Sequence, residues 1–300
     1  MDMLKRWRNH LGGFFKNHLI GRVLVFLSLP LFILSAALWK PNTEPPIFDA
    51  QVHYNEDVWD SASVKAILNT ADAKNVPWLL VSSVPNEGAW RLYEGDAERV
   101  IPMLAPYQSA DERESWFKDP TNLAFIEREI KNKPYRGIGE FFLYDGQVDT
   151  PVVRGMLELV RKRGLVLHAR GDEHAIQQLF ALGPGQRVLW AHGGMFTPAK
   201  TIGAMFARYP QLWVEISHRG DVAPGGTLSP EWRELMQRYP GRFLLGSGTY
   251  NMEYWYQFRY FFDHYRDWLK QLPPEMAEQI AFRNGLDLFG LATKPRKAAL

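Results

Sequence analysis

Two hydrophobic rhythms divide the chain. From Val23 to Trp39 the sequence reads VLVFLSLPLFILSAALW, uncharged throughout and without a polar face. Seventeen helical residues reach about 25 Å, close to a hydrocarbon core of about 30 Å. Leu19 and Ile20 lengthen the run if Arg22 snorkels to the interface. A soluble helix carries a polar stripe, so the pattern predicts a transmembrane signal-anchor over 19–39. A cleaved signal peptide is the alternative, since Ser35-Ala36-Ala37 offers small residues. The run is, however, longer than the usual signal core of about 7–15 residues.

Residues 40–45 form a Pro-rich linker, and beyond it the rhythm changes. Short apolar runs rich in Val, Ile, Leu and aromatics alternate with helical patterns. The runs are Ile47–Val52, Trp78–Ser82, Val100–Ala105, Gly137–Phe142, Leu165–His168, Val188–His192, Leu212–Ser217 and Phe243–Ser247. Thr150-Pro151, Thr197-Pro198 and Ser229-Pro230 each place a capping residue before a proline suited to the first helical turn. Strand and helix repeated about eight times predict an α/β fold, a (β/α)8 TIM barrel, over 46–292. Residues 293–300 are then a tail. A doubly wound open sheet is the alternative, but it needs fewer strands, and no G-x-G-x-x-G follows the first run.

Charge sharpens this division. Residues 1–40 carry six basic side chains against Asp2 alone, whereas the remainder carries 29 basic against 32 acidic. Residues 1–18 therefore read as a basic cytoplasmic N-terminus. Positive charge before the apolar run places the barrel on the other side of the inner membrane, in the periplasm or outside the cell. The body has no Lys/Arg block suited to tracking phosphates, so nucleic acid is not an expected partner. There is no cysteine, which excludes disulfides, Cys-ligated metals and a Cys nucleophile. The oligomeric state is not legible.

In a barrel of this kind chemistry sits at the carboxyl ends of the strands. Four of the eight histidines, His53, His168, His192 and His218, lie at or just past such ends, and Glu140 ends the fourth run. By strand alternation Gln51 lies one layer below His53. Each histidine alone is as readily a hydrogen-bonded structural residue. Four in register on separate strands point to one cavity rim. Tyr250 to Trp268 is dense in aromatics, which suits either packing of an outer helix or an interfacial surface.

These motifs carry a resemblance. Phe48-Asp-Ala-Gln-Val-His53 resembles the D-x-H-x-H signature after strand one of the amidohydrolase superfamily. Arg136-Gly-Ile-Gly-Glu140, Leu167-His168 and Trp190-Ala-His192-Gly-Gly resemble its strands four, five and six. Leu244-Leu-Gly-Ser-Gly-Thr249 resembles its strand-eight G-[ST]-D-T segment. The resemblance implies a barrel that activates water on one or two divalent metals to hydrolyse amides, esters or lactones; some members decarboxylate. It makes His53, His168 and Glu140 metal ligands. It makes His192 a ligand or a group that polarises the substrate carbonyl.

Two positions depart from that pattern. Gln51 stands where the first signature histidine belongs, and Gly248 where the strand-eight Asp belongs. Arg170, two residues past His168, repels a dication and attracts an anion. The remaining His₂Glu set is a known zinc arrangement with an open position. A metal-free site is the alternative, with Arg170 or Arg219 holding the developing oxyanion. The proton acceptor then falls to His192 or His218, with Glu215 the best carboxylate to replace the missing Asp. The expected function is a membrane-anchored hydrolase of a small anionic carbonyl substrate, catalysed by His192, His218 and Glu215. Gln51, Arg170 and Arg219 would bind the substrate. The alternative is an inactive barrel that binds a small anion or serves as an envelope interaction module.

Overall fold

A computed structural model describes residues 44–292. The expected basic N-terminus 1–18, the anchor 19–39, most of the linker 40–45 and the tail 293–300 lie outside the described residues. Among the described residues no helix is long and apolar enough to cross a membrane.

Eight parallel strands lie side by side in chain order: β1 Phe48–Val52, β2 Trp78–Val81, β3 Val100–Leu104, β4 Gly137–Phe142, β5 Val166–Arg170, β6 Arg187–Trp190, β7 Leu212–Glu215 and β8 Phe243–Leu244. The ring closes between β8 and β1 through the bridges Asp49–Leu245 and Val52–Thr249 rather than a full ladder. Each strand leads to a helix on the outside: α1 Val64–Ala73, α2 Glu87–Gly95, α3 Pro120–Asn132, α4 Pro151–Arg163, α5 Glu173–Leu182, α6 Ala199–Arg208, α7 Pro230–Arg238 and α8 Met252–Leu269. This is the (β/α)8 arrangement that the periodicity predicts.

The caps explain the helix starts. Thr150 accepts a hydrogen bond from Val153 N, with Pro151 in the first turn of α4, and Gly164 ends that helix in the left-handed region. The start of α6 differs from the expectation. The Thr197 hydroxyl donates to the Gly194 carbonyl in the turn leaving β6, so Pro198 takes the cap position and the helix begins at Ala199.

Two apolar layers hold the barrel. Val81, Leu104, Leu167, Trp190 and Val214 pack outward against the helices. Leu80, Met103, Val166, Leu189 and Leu244 form a second cluster with Leu286 and Phe289, which follow α8. Polar residues gather at the carboxyl end instead. His53 follows β1, Glu140 lies in β4, His168 in β5, and His192 follows β6 in a tight turn. The strands end earlier than the apolar runs suggest at β6 and β7. His192 and His218 both leave the strand direction with positive φ, 54° and 58°. Histidine tolerates that region better than most residues, and such conformations cluster at functional sites.

Candidate active site

A cavity of about 1030 Å³ opens at the carboxyl end of the strands. Gln51, His53, Glu140, Arg170, His192 and His218 all line it. Of the nine residues singled out in the sequence, six therefore meet in one place. His168 and Glu215 are buried beside them, and Arg219 is committed elsewhere.

His192 lies at the centre of the polar contacts. Its Nε2 is 3.3 Å from Glu140, and its Nδ1 is 2.9 Å from Ser217 Oγ and 3.3 Å from Glu215. Burial alone would lower the pKa of this imidazole, but hydrogen bonds and charge from Glu140 and Glu215 outweigh it and raise it to about 9. Burial alone would likewise raise both carboxylates. The bonds from His192, joined at Glu140 by His53, hold Glu140 well below its ordinary value and Glu215 below its own. At neutral pH His192 is thus an imidazolium clamped between two carboxylates.

Glu215, expected as the carboxylate in place of the missing Asp, does not line the cavity. It is fully buried, and its carboxylate accepts from Ser217 N and His192 N, so it faces β6 and β7 rather than the cavity. It lies 3.3 Å from His192 Nδ1. Arg219, expected to bind the substrate, does not line the cavity either. Its guanidinium donates to both Asp221 oxygens and to the Gly193, His192 and Thr197 carbonyls, and it lies over Trp232. A planar group with five N–H donors then has none left for a substrate. It ties the turns after β6 and β7 together.

His218 occupies an unexpected place. A Cβ on Gly248 would lie 2.0 Å from His218 Nε2, so this ring fills the space that a side chain at 248 would need. Gly248 itself has φ +64°, where side chains are strained. The imidazole is exposed to the cavity and lies edge-on to His192 and to Tyr254, with ring centres 5.1 Å apart in each case. The desolvating crowd of protein around it, and the charge on His192, lower its pKa.

On the β1 side, His53 Nδ1 donates to the Ser82 carbonyl at 2.9 Å. That leaves Nε2 to the Gln51 amide at 3.0 Å and to Glu140 at 3.3 Å. His168 is buried behind Gly139, where a Cβ would meet the His168 carbonyl at 2.3 Å, so Gly-Ile-Gly-Glu needs glycine there for close approach. Burial, partly offset by Glu140, lowers the His168 pKa to about 4. Beneath the cavity lies Asp49, fully buried, accepting from Gln51 N and Ser247 N. Its pKa is raised to about 7, chiefly by desolvation.

The resemblance assigns a divalent ion to His53, His168 and Glu140. The donor set does not fit that ion. His53 Nε2 meets an amide, both Glu140 oxygens already face imidazoles, and the space of a position-248 carboxylate holds the His218 ring. Among the described residues no group of three or more His, Asp or Glu side chains is disposed to hold a metal. His168 Nε2 and Glu140 Oε1 are buried without hydrogen-bond partners, but Glu140 Oε1 faces the His192 ring at 3.3 Å, and the two atoms do not make a set of three.

Several cavity residues escape the sequence reading. Arg113 arrives on the loop after β3, with Tyr107 before it, and Tyr250 and Tyr254 precede and open α8. The aromatic run of α8 divides three ways. Trp255, Phe258, Phe262, Tyr265 and Trp268 are buried, Tyr256 and Tyr260 are exposed, and Tyr250 and Tyr254 face the cavity.

Known proteins share this architecture. Among solved structures, 2,6-dihydroxybenzoate decarboxylase is similar at 14% identity and a TM-score of 0.54, covering 82% of this chain and 100% of the other. The phosphotriesterase homology protein of Escherichia coli, complexed with phosphate in its active site, aligns at 12% identity and a TM-score of 0.55, covering 84% and 100%. An amidohydrolase of Burkholderia multivorans with bound HEPES aligns at 14% identity and a TM-score of 0.54, covering 82% and 100%. At these identities the likeness is one of fold. No protein of curated function matches the sequence. A family model described as amidohydrolase matches residues 118–291, more than half of the chain, and the chain belongs to the amidohydrolase family.

Proposed function

We propose that this protein hydrolyses a small anionic carbonyl compound, an ester, lactone or amide, using His218 as the proton acceptor. The observation that carries this reading is the His218 ring lying in the cavity where a side chain at 248 would otherwise be. In the proposed reaction a water gives a proton to the neutral His218 while its oxygen attacks the carbonyl carbon. The carbonyl electron pair moves onto oxygen, facing the positive potential of His192 beside His218. Collapse expels the alcohol or amine, which recovers the proton from His218. Gln51 Oε1, buried without a partner, is available to accept a hydrogen bond from the ligand.

We further propose that residues 19–39 anchor the chain in the inner membrane, with the barrel on the periplasmic or outer side. The uncharged run and the basic residues before it support this.

The test is a screen of carboxylate-bearing esters, lactones and amides with the full-length protein, with and without a chelator. Turnover that survives chelation and falls about 10²–10⁴-fold in His218→Ala supports the reading. Turnover abolished by chelation, or unchanged in His218→Ala, overturns it. A second reading, an anion-binding barrel without turnover, is favoured by the closure of Glu140 and Glu215 on His192. It is supported if ligands bind and none is converted.

A further inference from the structure

The cavity holds two cations that no described residue pairs with. Arg113 and Arg170 are 57 positions apart in sequence, yet both lie over the ring of Phe142, with guanidinium carbons 5.3 and 4.7 Å from its centre. Their separation is therefore at most about 10 Å, the sum of those distances. Among the described residues neither is in an ion pair, whereas Arg99, Arg219 and Arg266 each face a carboxylate. The Nε of each is buried with no hydrogen-bond partner.

Among the described residues none of the nearby acids, Glu56 and Asp57 on the cavity wall and Glu112, Glu114 and Glu140, forms an ion pair with either arginine. Glu140 has its oxygens against His53 and His192, and Glu112 bonds Gln108 N and Ser109 Oγ in its own loop. Two like charges drawn to one ring, each with an unmet donor, are stabilised by an anion between them. The planar fork of a guanidinium matches a carboxylate or phosphate in two-point contact.

We infer that Arg113 and Arg170 together bind one oxyanion group of the ligand, a carboxylate or a phosphate-type group, at the Phe142 wall. This rests on the hydrolase reading only in placing the substrate in the same cavity. It makes Arg113 a binding residue and defines the anionic end of the substrate, while the reacting carbonyl lies toward His218.

The experiment is calorimetric titration of the full-length protein with three probes: benzoate, its uncharged counterpart benzamide, and inorganic phosphate. Benzoate or phosphate should bind at least about tenfold more tightly than benzamide, the effect expected of one charge-assisted contact. The tighter of the two anions names the source. Arg113→Gln and Arg170→Gln should each weaken that anion about tenfold or more and leave benzamide unchanged. The double variant should lose little beyond either single one, because the two residues share one group. Arg→Lys at each site retains the charge without the fork, and melting curves report folding. Three results would overturn the inference: no preference for the anions over benzamide, unchanged affinity in both single variants, or fully additive losses. Binding is read here without turnover. A protein that hydrolyses nothing but binds benzoate through both arginines fails the hydrolase reading alone. One that hydrolyses with no preference for anions fails this inference alone.

Discussion

The floor and the rim of the cavity use charge in opposite ways. On the floor, Glu140, Glu215 and His192 are buried and bonded to one another, with Asp49 beneath them. Their titrations are displaced because each group answers to its neighbours and not to water. At the rim, Arg113 and Arg170 are half-buried and unpaired, and His218 is open to the cavity. The two regions lie within the same barrel end, so the contrast is not one of fold. The floor fixes the strand ends and a positive potential. The rim leaves the Nε donors of Arg113 and Arg170 without partners and the His218 ring open to the cavity. The buried acids thus answer mainly to one another's neighbours, whereas the two rim arginines meet an aromatic face.

Removing a floor carboxylate tests this most severely. Glu215→Ala strips the acceptor from Ser217 N and His192 N and leaves His192 half-paired in a buried place. Breaking such a pair on one side costs about 3–5 kcal/mol. Urea unfolding should show a loss of that size. A loss below about 1 kcal/mol would mean the floor is no more interdependent than the rim.

The floor also sets a pH signature. Glu140 and Glu215 have lowered pKa values, so their stabilisation is present above the ordinary carboxylate range and is lost as pH falls through the folded values. His192 is raised to about 9, so its contribution is complete below about 6.5 and lost as pH climbs through 9. Asp49, raised to about 7, holds a proton in the folded state that the unfolded chain has released, so stability declines between about pH 4 and 7. Asp49→Asn should flatten unfolding free energy between pH 5 and 7, a change of a few kcal/mol, and leave the decline from 7 to 9 that His192 causes. A variant with the same slope as the parent would show that Asp49 ionises normally.

The boundary between floor and rim is His218 above Gly248. Gly248→Ala adds a Cβ in a strained backbone region and drives it into the His218 ring. The expected cost is about 1–3 kcal/mol. Gly248→Ala with His218→Ala should recover part of it, because the clash is gone and only backbone strain remains. Strict additivity in a double-mutant cycle would show that the ring moves aside freely and holds no fixed place.

Much of this was legible in the residues, for identifiable reasons. Strand and helix periods, with caps such as Thr150-Pro151, give the barrel because burial forces them. A parallel barrel brings its strand ends together, so His53, Glu140, Arg170 and His192 converge as the register predicts. What lies past the strand ends was not legible. Positive φ at His218 swings its ring over Gly248, and no period encodes that turn. Arg219 and Arg170 look alike as loop and strand-end cations, but only the folded turns decide that the first meets Asp221 and three carbonyls while the second meets an aromatic face. Arg113 stands in an irregular loop, where position carries no parity.

The finest test of the contrast is a rim substitution that should barely register in stability. Among the described residues Arg170→Gln removes no ion pair and no side-chain hydrogen bond, only the contact with Phe142. A cation–π contact at a half-exposed site is worth about 0.5–1 kcal/mol. Relief of the repulsion from Arg113 offsets it, so the net change in unfolding free energy should stay within about 0.5 kcal/mol. Added salt should narrow even that, since it screens the repulsion in the parent protein. A loss above about 1.5 kcal/mol would place Arg170 with Arg219 among the supports. The rim would then be a second floor, with its cations holding structure instead of waiting for an anion.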